Sequence, residues 1–447
     1  MSGPKVVRIV TREEVLAICE AHLQRLDQAI AAWTASGQRV RELSAEEIAA
    51  THERRRALAA LIAKDAFMEL QKKVPDEIAF LKADAIRRQD VAVEKAEQVV
   101  KRRRQGRDSA ATLLNALKSK SIVPPQDLAS KLDLIASGVE VADADALLAR
   151  GFSLLVPGTS RAISEAQKNL ANRLLGSDTP QDFGEWKAIN TSRANELLFD
   201  RVDRQVAEAQ VFLEESDVAT FAARLRAIET GANEHSRNLL LDSLLLDLAS
   251  AVQASRIHRS AIDELQELAA EINADASTEA KALLDRSQQC GPATTLQEIA
   301  RLTDECRNFI MQEQQRKAAQ ARRDAILQGL ARLGYEVNDG METAWARDGR
   351  VVVKNPAVPG YGVEVGGQAQ TSRLQVRAVA LTGNRDVTRD KDVETLWCGD
   401  FGKLQELLVA EGDSLFIERA LRVGEVPFKV VDDTQTESVS THKHRSL

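Results

Sequence analysis

RVVVKNPAVPGYGVEV, residues 350–365, breaks the idiom of a chain that is otherwise almost continuous helical pattern. Val351 to Val353 form a β-branched run, Pro356 and Pro359 cannot sit inside a hydrogen-bonded helix, and Tyr361, Val363 and Val365 recur at period two. The stretch therefore predicts two strands joined by the turn NPAVPG. Working outward, GYEV, METAWA and RLQVRAVAL are further short runs rich in β-branched and aromatic residues, separated by NDG and RDG. An antiparallel meander over 334–431 follows. In it Leu374, Val376, Ala378 and Ala380 share the apolar face, while Glu364, Arg373, Gln375 and Arg377 lie on a solvent-facing one, a candidate ligand face.

Such a sheet needs a cover. Val393, Leu396, Trp397, Phe401, Leu404, Leu407 and Leu408 form a helical stripe that stops near Gly412, so a small α+β sandwich is expected. VPFKVV adds an edge strand, and DDTQTESVSTHKHRSL (432–447) has the composition of a disordered tail.

Upstream of Gly334 the period is helical. Aromatics at 4% and charged residues at 28% match long amphipathic helices better than a large sheet core. The predicted class is mainly α: elongated helical bundles or coiled coil with a small C-terminal α+β domain, an antiparallel sheet covered by helices. Thr11 with Glu14, Ser44 with Glu47 and Thr295 with Glu298 are capping boxes that start three helices. Pro75 should end one helix and open the next, and Gly106, after KRRRQ, should end that one. The expected divisions are a long-helix antiparallel bundle (1–106), a compact short-helix segment (107–160), a second bundle (161–290), a long connecting helix (291–333), the α+β domain (334–431) and the tail. The connecting helix contains QEQQRKAAQARRDA, polar nearly all round, which suits either a solvated rod or a surface with an unseen partner.

Leu16, Leu23, Leu26, Ile30 and Trp33, with Cys19, form a three-and-four-spaced seam on the first helix, read as a partner-binding surface or as core. Lys101, Arg102, Arg103, Arg104 and Arg107 are the densest charge run. Cations at a helix end suit the macrodipole, and a contact to an anionic partner or nucleic acid is the functional alternative.

The chemistry-bearing residues do not converge. Six histidines are scattered without HExxH, and four cysteines make no CxxC. Glu364, the nearest approach to a nuclease carboxylate beside Asp348, lacks the following lysine. GFSLLVPGTS lacks the lysine of a phosphate loop, and PPQDLASKLDLIASGVEVADADALLARG lacks the turn glycine and basic face of a DNA-reading helix pair. No catalytic residue, metal ligand or cofactor is assigned. A net charge of −7 gives no general field toward nucleic acid or anionic lipid. The N-terminus has no signal-like apolar run, and NLLLDSLLLDLASAV is interrupted by Asp242 and Asp247, so no membrane span and a cytoplasmic location are expected.

These features predict a non-enzymatic helical scaffold or adaptor of a bacterial-type cytoplasmic multi-protein system. Its C-terminal module would dock a partner or ligand, the partner being a second copy or an ATPase or nuclease subunit. One alternative is a nucleic-acid-associated accessory subunit of an anti-phage or DNA-processing complex using residues 101–107. Another is an enzyme with its site on the wet face of the terminal sheet.

Overall fold

The computed structural model describes residues 4–155, 183–231, 234–273, 275–367, 371–381 and 387–431, with only the backbone for 183–197, 231, 234 and 235. The expected tail, residues 176–182 of the break expected at GSDTPQDFG, and the end of GFSLLVPGTS lie outside the described residues. Among the described residues there are twelve α-helices and one small six-stranded sheet, a mainly α fold with an α+β module. The chain forms two compact units. One comprises residues 1–32, 45–81 and 261–447, the other 33–44 and 82–260.

The sheet organises the first unit. Strands β2 (Arg350–Lys354), β3 (Tyr361–Gly366) and β4 (Arg373–Leu381) are the expected antiparallel meander. The turn between β2 and β3 closes as its sequence dictates: Asn355 Oδ1 accepts from Ala357 N at 3.0 Å, and Gly360 takes the left-handed φ of 84°. Two further strands were not foreseen. Lys5–Val10 (β1) lies between β4 and β5 (Ser414–Ala420), antiparallel to both, giving the order β2-β3-β4-β1-β5. VPFKVV does contribute a strand, β6 (Lys429–Val431), but it pairs in parallel with β4.

Three helices cover the apolar face. They are α10 (Leu296–Arg332), α11 (Met341–Asp348) and α12 (Asp390–Ala410). Ile326, Leu327 and Leu330 of α10, Trp345 of α11, and Trp397, Phe401, Leu404 and Leu408 of α12 pack on Val7, Ile9, Val353, Val363, Leu374 and Val376. The α12 stripe is as expected except at Leu396, which is exposed. METAWA is helix α11, not a strand. Gly340 (φ 87°) and Gly349 (φ 69°) close its two ends in the left-handed conformation, and Met341 and Trp345, four apart, are its buried residues. GYEV contributes only an isolated bridge, Glu336 to Lys354.

The other helices are α1 (Arg12–Arg39), α2 (Ala45–Ala59), α3 (Phe67–Ser119), α4 (Gln126–Ala136), α5 (Ala144–Leu155), α6 (Phe183–Phe212), α7 (Glu215–Gly231), α8 (Glu234–Ile272) and α9 (Thr278–Gln289). The capping box at Thr295 and Glu298 is complete, with both reciprocal bonds made. Thr11 accepts from Glu14 N at 3.3 Å, and the Glu14 carboxylate goes to Arg322. Pro75 does not divide two helices, because it lies inside α3. The break falls ten residues earlier, where Asp65 adopts φ 51° and its amide reaches Ile62 O. Gly106 does not end α3 either, for the helix runs to Ser119. In the second unit α3, α6, α7 and α8 form a bundle around Val93, Val202, Phe212, Ile228, Leu241, Leu244 and Leu248. Leu113 and Leu117 of α3 pack with Leu128, Leu132 and Ile135 of α4 and Leu148 of α5.

Candidate binding cleft

The residues singled out by pattern are largely committed inside the chain. Of the seam, Leu23, Leu26, Ile30 and Trp33 are buried and Leu16 is half-buried. The partner-binding reading of that seam is thus corrected: its apolar side chains are already core. Trp33 is anchored in the second unit, donating through Nε1 to Asp84 Oδ2 at 2.9 Å beneath the Arg88 guanidinium, 5.6 Å from its ring.

The basic run is likewise paired. Lys101 reaches Asp200 at 2.9 Å, Arg103 reaches Glu140 at 2.6 Å, Arg104 reaches Asp203 at 2.8 Å, and Arg107 holds Glu229, while Arg102 is exposed. Arg104 also lies over the Phe199 ring, 5.1 Å from its centroid. Burial pushes the Asp203 carboxyl up, against the pull of Arg104. These are the contacts of a structural network that draws acids from α5's approach, α6 and α7.

Arg373 and Gln375 are exposed as expected, but Glu364 is not. Glu364 is 6% exposed, and its two oxygens accept from Arg377 Nη2 at 2.8 Å and Lys429 Nζ at 2.6 Å. Burial acts to raise its carboxyl, but the hydrogen bonds from Lys429 and Arg377 outweigh this and hold it low. Lys429 comes from β6, which pairs only with β4 and brings the lysine beside Glu364. Arg373 pairs with Glu418 at 2.6 Å, and Gln375 is exposed. The four residues do not form one site.

A concavity lies elsewhere in the first unit. A cleft of about 480 Å³ is walled by the first turns of α1, the end of α8 with the following loop, and the middle of α10. Seven carboxylates line it (Glu13, Glu14 and Glu20; Glu271 and Asp275; Glu313 and Asp324) against two cations, Lys317 and Arg322. Several are spoken for. Arg322 is buried and binds both oxygens of Glu14 through Nε (3.1 Å) and Nη2. Asp275 accepts from Ser277 N at 2.9 Å and faces Lys317 at 3.3 Å; the Ser277 bond and then the lysine hold its carboxyl below the usual range. Gln314 donates to Glu271 at 3.0 Å.

Glu313 pairs with Arg316 at 2.8 Å, and two of the carboxylates, Glu271 and Asp324, carry charge at a cost. Burial raises the Glu271 carboxyl, with Arg25 opposing. Asp324 is raised by burial first and then by the neighbouring Glu342 and Glu13 carboxylates. Glu13 and Glu20 are exposed at the rim. Among the described residues no group of three or more His, Cys, Asp or Glu is gathered closely enough to hold a metal ion. The negative charge is spread along three helices, and that suits an extended cation better than a point charge.

Sequence reading missed this cleft because its walls come from three distant stretches. One signal was present: QEQQRKAAQARRDA supplies Glu313, Lys317, Arg322 and Asp324. That segment is not polar all round in its setting, since Ala318, Ala319, Ala321, Arg322 and Arg323 are buried. No described helix is long and apolar enough to cross a membrane. No protein-family model, curated protein or solved structure matches the chain.

Proposed function

We propose that this chain is a helical scaffold or adaptor of a cytoplasmic, bacterial-type multi-protein system, and that its acidic cleft docks a lysine- and arginine-rich segment of a partner protein. The carrying observation is the imbalance of the cleft lining, seven carboxylates to two cations in a concave site of about 480 Å³. The cleft belongs to the same compact unit as the terminal sheet, which is where a docking module was expected. The pairing of the basic run with Asp200, Glu140, Asp203 and Glu229 leaves the nucleic-acid reading without support. The pairing of the buried Glu364 with Arg377 and Lys429 does the same for a catalytic wet face centred on it.

A basic peptide labelled with a fluorophore and titrated into the full chain tests this. Saturable binding at low salt is expected, weakening as salt screens the charges. Replacing Glu13, Glu20 and Asp324 together by glutamine should reduce affinity at least about tenfold, the effect of losing roughly 1.4 kcal/mol. Equal binding by the variant, or none by the native chain, would refute the assignment. Binding should also strengthen as pH rises through the titration of Glu271 and Asp324, because a cation favours their ionised form.

A further inference from the structure

Strand β1 turns Val7 and Ile9 into the core, and by the same alternation it turns Lys5 inward as well. Lys5 is 2% exposed. A lysine so deeply buried is ordinarily met by a carboxylate, because an unpaired ammonium is costly to desolvate. Here no ion pair to Lys5 is present among the described residues. Its Nζ instead donates to Cys398 Sγ at 3.2 Å and lies 5.0 Å from the centre of the Phe401 ring. Cys398 and Phe401 both belong to α12, and Cys398 forms no disulfide. Cys398 is half-buried as a residue, with the amine on its sulfur. Cys19 and Cys306, by contrast, are fully buried.

We propose that Lys5 and Cys398 form an oxidation-sensitive pair, in which peroxide drives formation of a sulfur–nitrogen bond that staples β1 to α12. In the first step the Cys398 sulfur attacks one peroxide oxygen. The O–O bond breaks, the thiol becomes a sulfenic acid, and one water leaves. Sulfur is oxidised by two electrons and the peroxide is reduced. In the second step Lys5, as the neutral amine after its ammonium has given one proton to solvent, attacks that sulfur through the nitrogen lone pair. The S–O bond breaks, and the hydroxyl departs with one amine hydrogen as a second water. The chain has then lost two hydrogens overall. A thiol reductant reverses the change by attacking sulfur and returning the free amine.

The amine lies at hydrogen-bond distance from the sulfur, so it is placed to intercept a sulfenic acid formed at Cys398, which would otherwise proceed to sulfinic acid or react with an external thiol. The consequence is local: an interior strand of the sheet, otherwise held only non-covalently, becomes tied to its covering helix.

The test is peptide mass spectrometry of the folded full chain after graded hydrogen peroxide, with and without later reduction. Expected is one cross-linked peptide pair joining the β1 and α12 segments, two hydrogens lighter than its parts, resistant to trypsin at Lys5 and lost on reduction. Cys398→Ser should abolish it. Lys5→Arg, and Lys5→Met in case the arginine does not fold, should instead let dimedone trap the Cys398 sulfenic acid in greater yield. Dimedone capture or sulfinic acid at Cys398 in the native chain, with no cross-linked peptide, would overturn the proposal. So would a Cys398 left intact by a dose of peroxide that oxidises the half-buried Cys290.

Discussion

Asp84 shows how a residue can be both isolated in the sequence and central in the molecule. Its carboxylate accepts from Trp33, Arg87 and Arg88. Burial pushes it up, yet the bonds from Arg88, Trp33 and Arg87 prevail and hold it at about 2. A carboxyl lowered on folding contributes stability above its unfolded value, and that stability is lost as pH falls through the folded one. The native chain should therefore lose about 2 kcal/mol of unfolding free energy between roughly pH 5 and pH 2 through this group. Urea titrations across that range check this: Asp84→Asn should flatten the loss, and an unchanged pH profile would remove Asp84 from the account. Gly106 makes the opposite kind of statement. A Cβ there meets nothing within 4 Å and the helix continues past it. Gly106→Ala should raise stability by about 0.5–1 kcal/mol, read as a higher melting temperature. Neither effect follows from residue type alone, since lysines and arginines before a glycine are the ordinary sign of a helix end.

Among elements, what was legible depended on whether a signal stayed local. The strands around NPAVPG and the stripe of α12 carry their periodicity within ten or twenty residues, and both formed as read except at Leu396. METAWA failed because a four-residue spacing of Met341 and Trp345 competes with a short run rich in aromatic and β-branched residues, and the flanking glycines decide it. Trp345 is 1% exposed in the core beneath the sheet, so Trp345→Ala should cost about 3–5 kcal/mol, measurable by denaturant unfolding. A cost under about 1 kcal/mol would mean that α11 is peripheral. KVVRIV alternates cleanly once it is known to be a strand, yet its partners are Leu374 and Val376 at the other end of the chain. A lone six-residue strand separated that far from its neighbours gives no pairing signal. The cleft was illegible for the same reason, as α1, α8 and α10 each show only a few unremarkable acids.

At the scale of the whole molecule, the first unit gathers three separate lengths of chain, 1–32, 45–81 and 261–447. Residues 334–431, which pattern alone marks as a domain, contain neither β1 nor the α10 residues that complete its core. That fragment expressed by itself should show no cooperative unfolding transition, whereas a sharp one would show that the meander and α12 suffice.

The place of β1 between β4 and β5 also bears on synthesis. Lys5 to Arg8 emerge from the ribosome about 370 residues before Arg373 to Val376, against which they pair. At about 5–20 residues per second, that strand waits roughly 20–70 s for its partner. For that interval an apolar ribbon with unpaired backbone is available to any passing edge. A nascent-chain chaperone, or rapid burial elsewhere in the growing chain, is then a requirement for yield rather than a convenience.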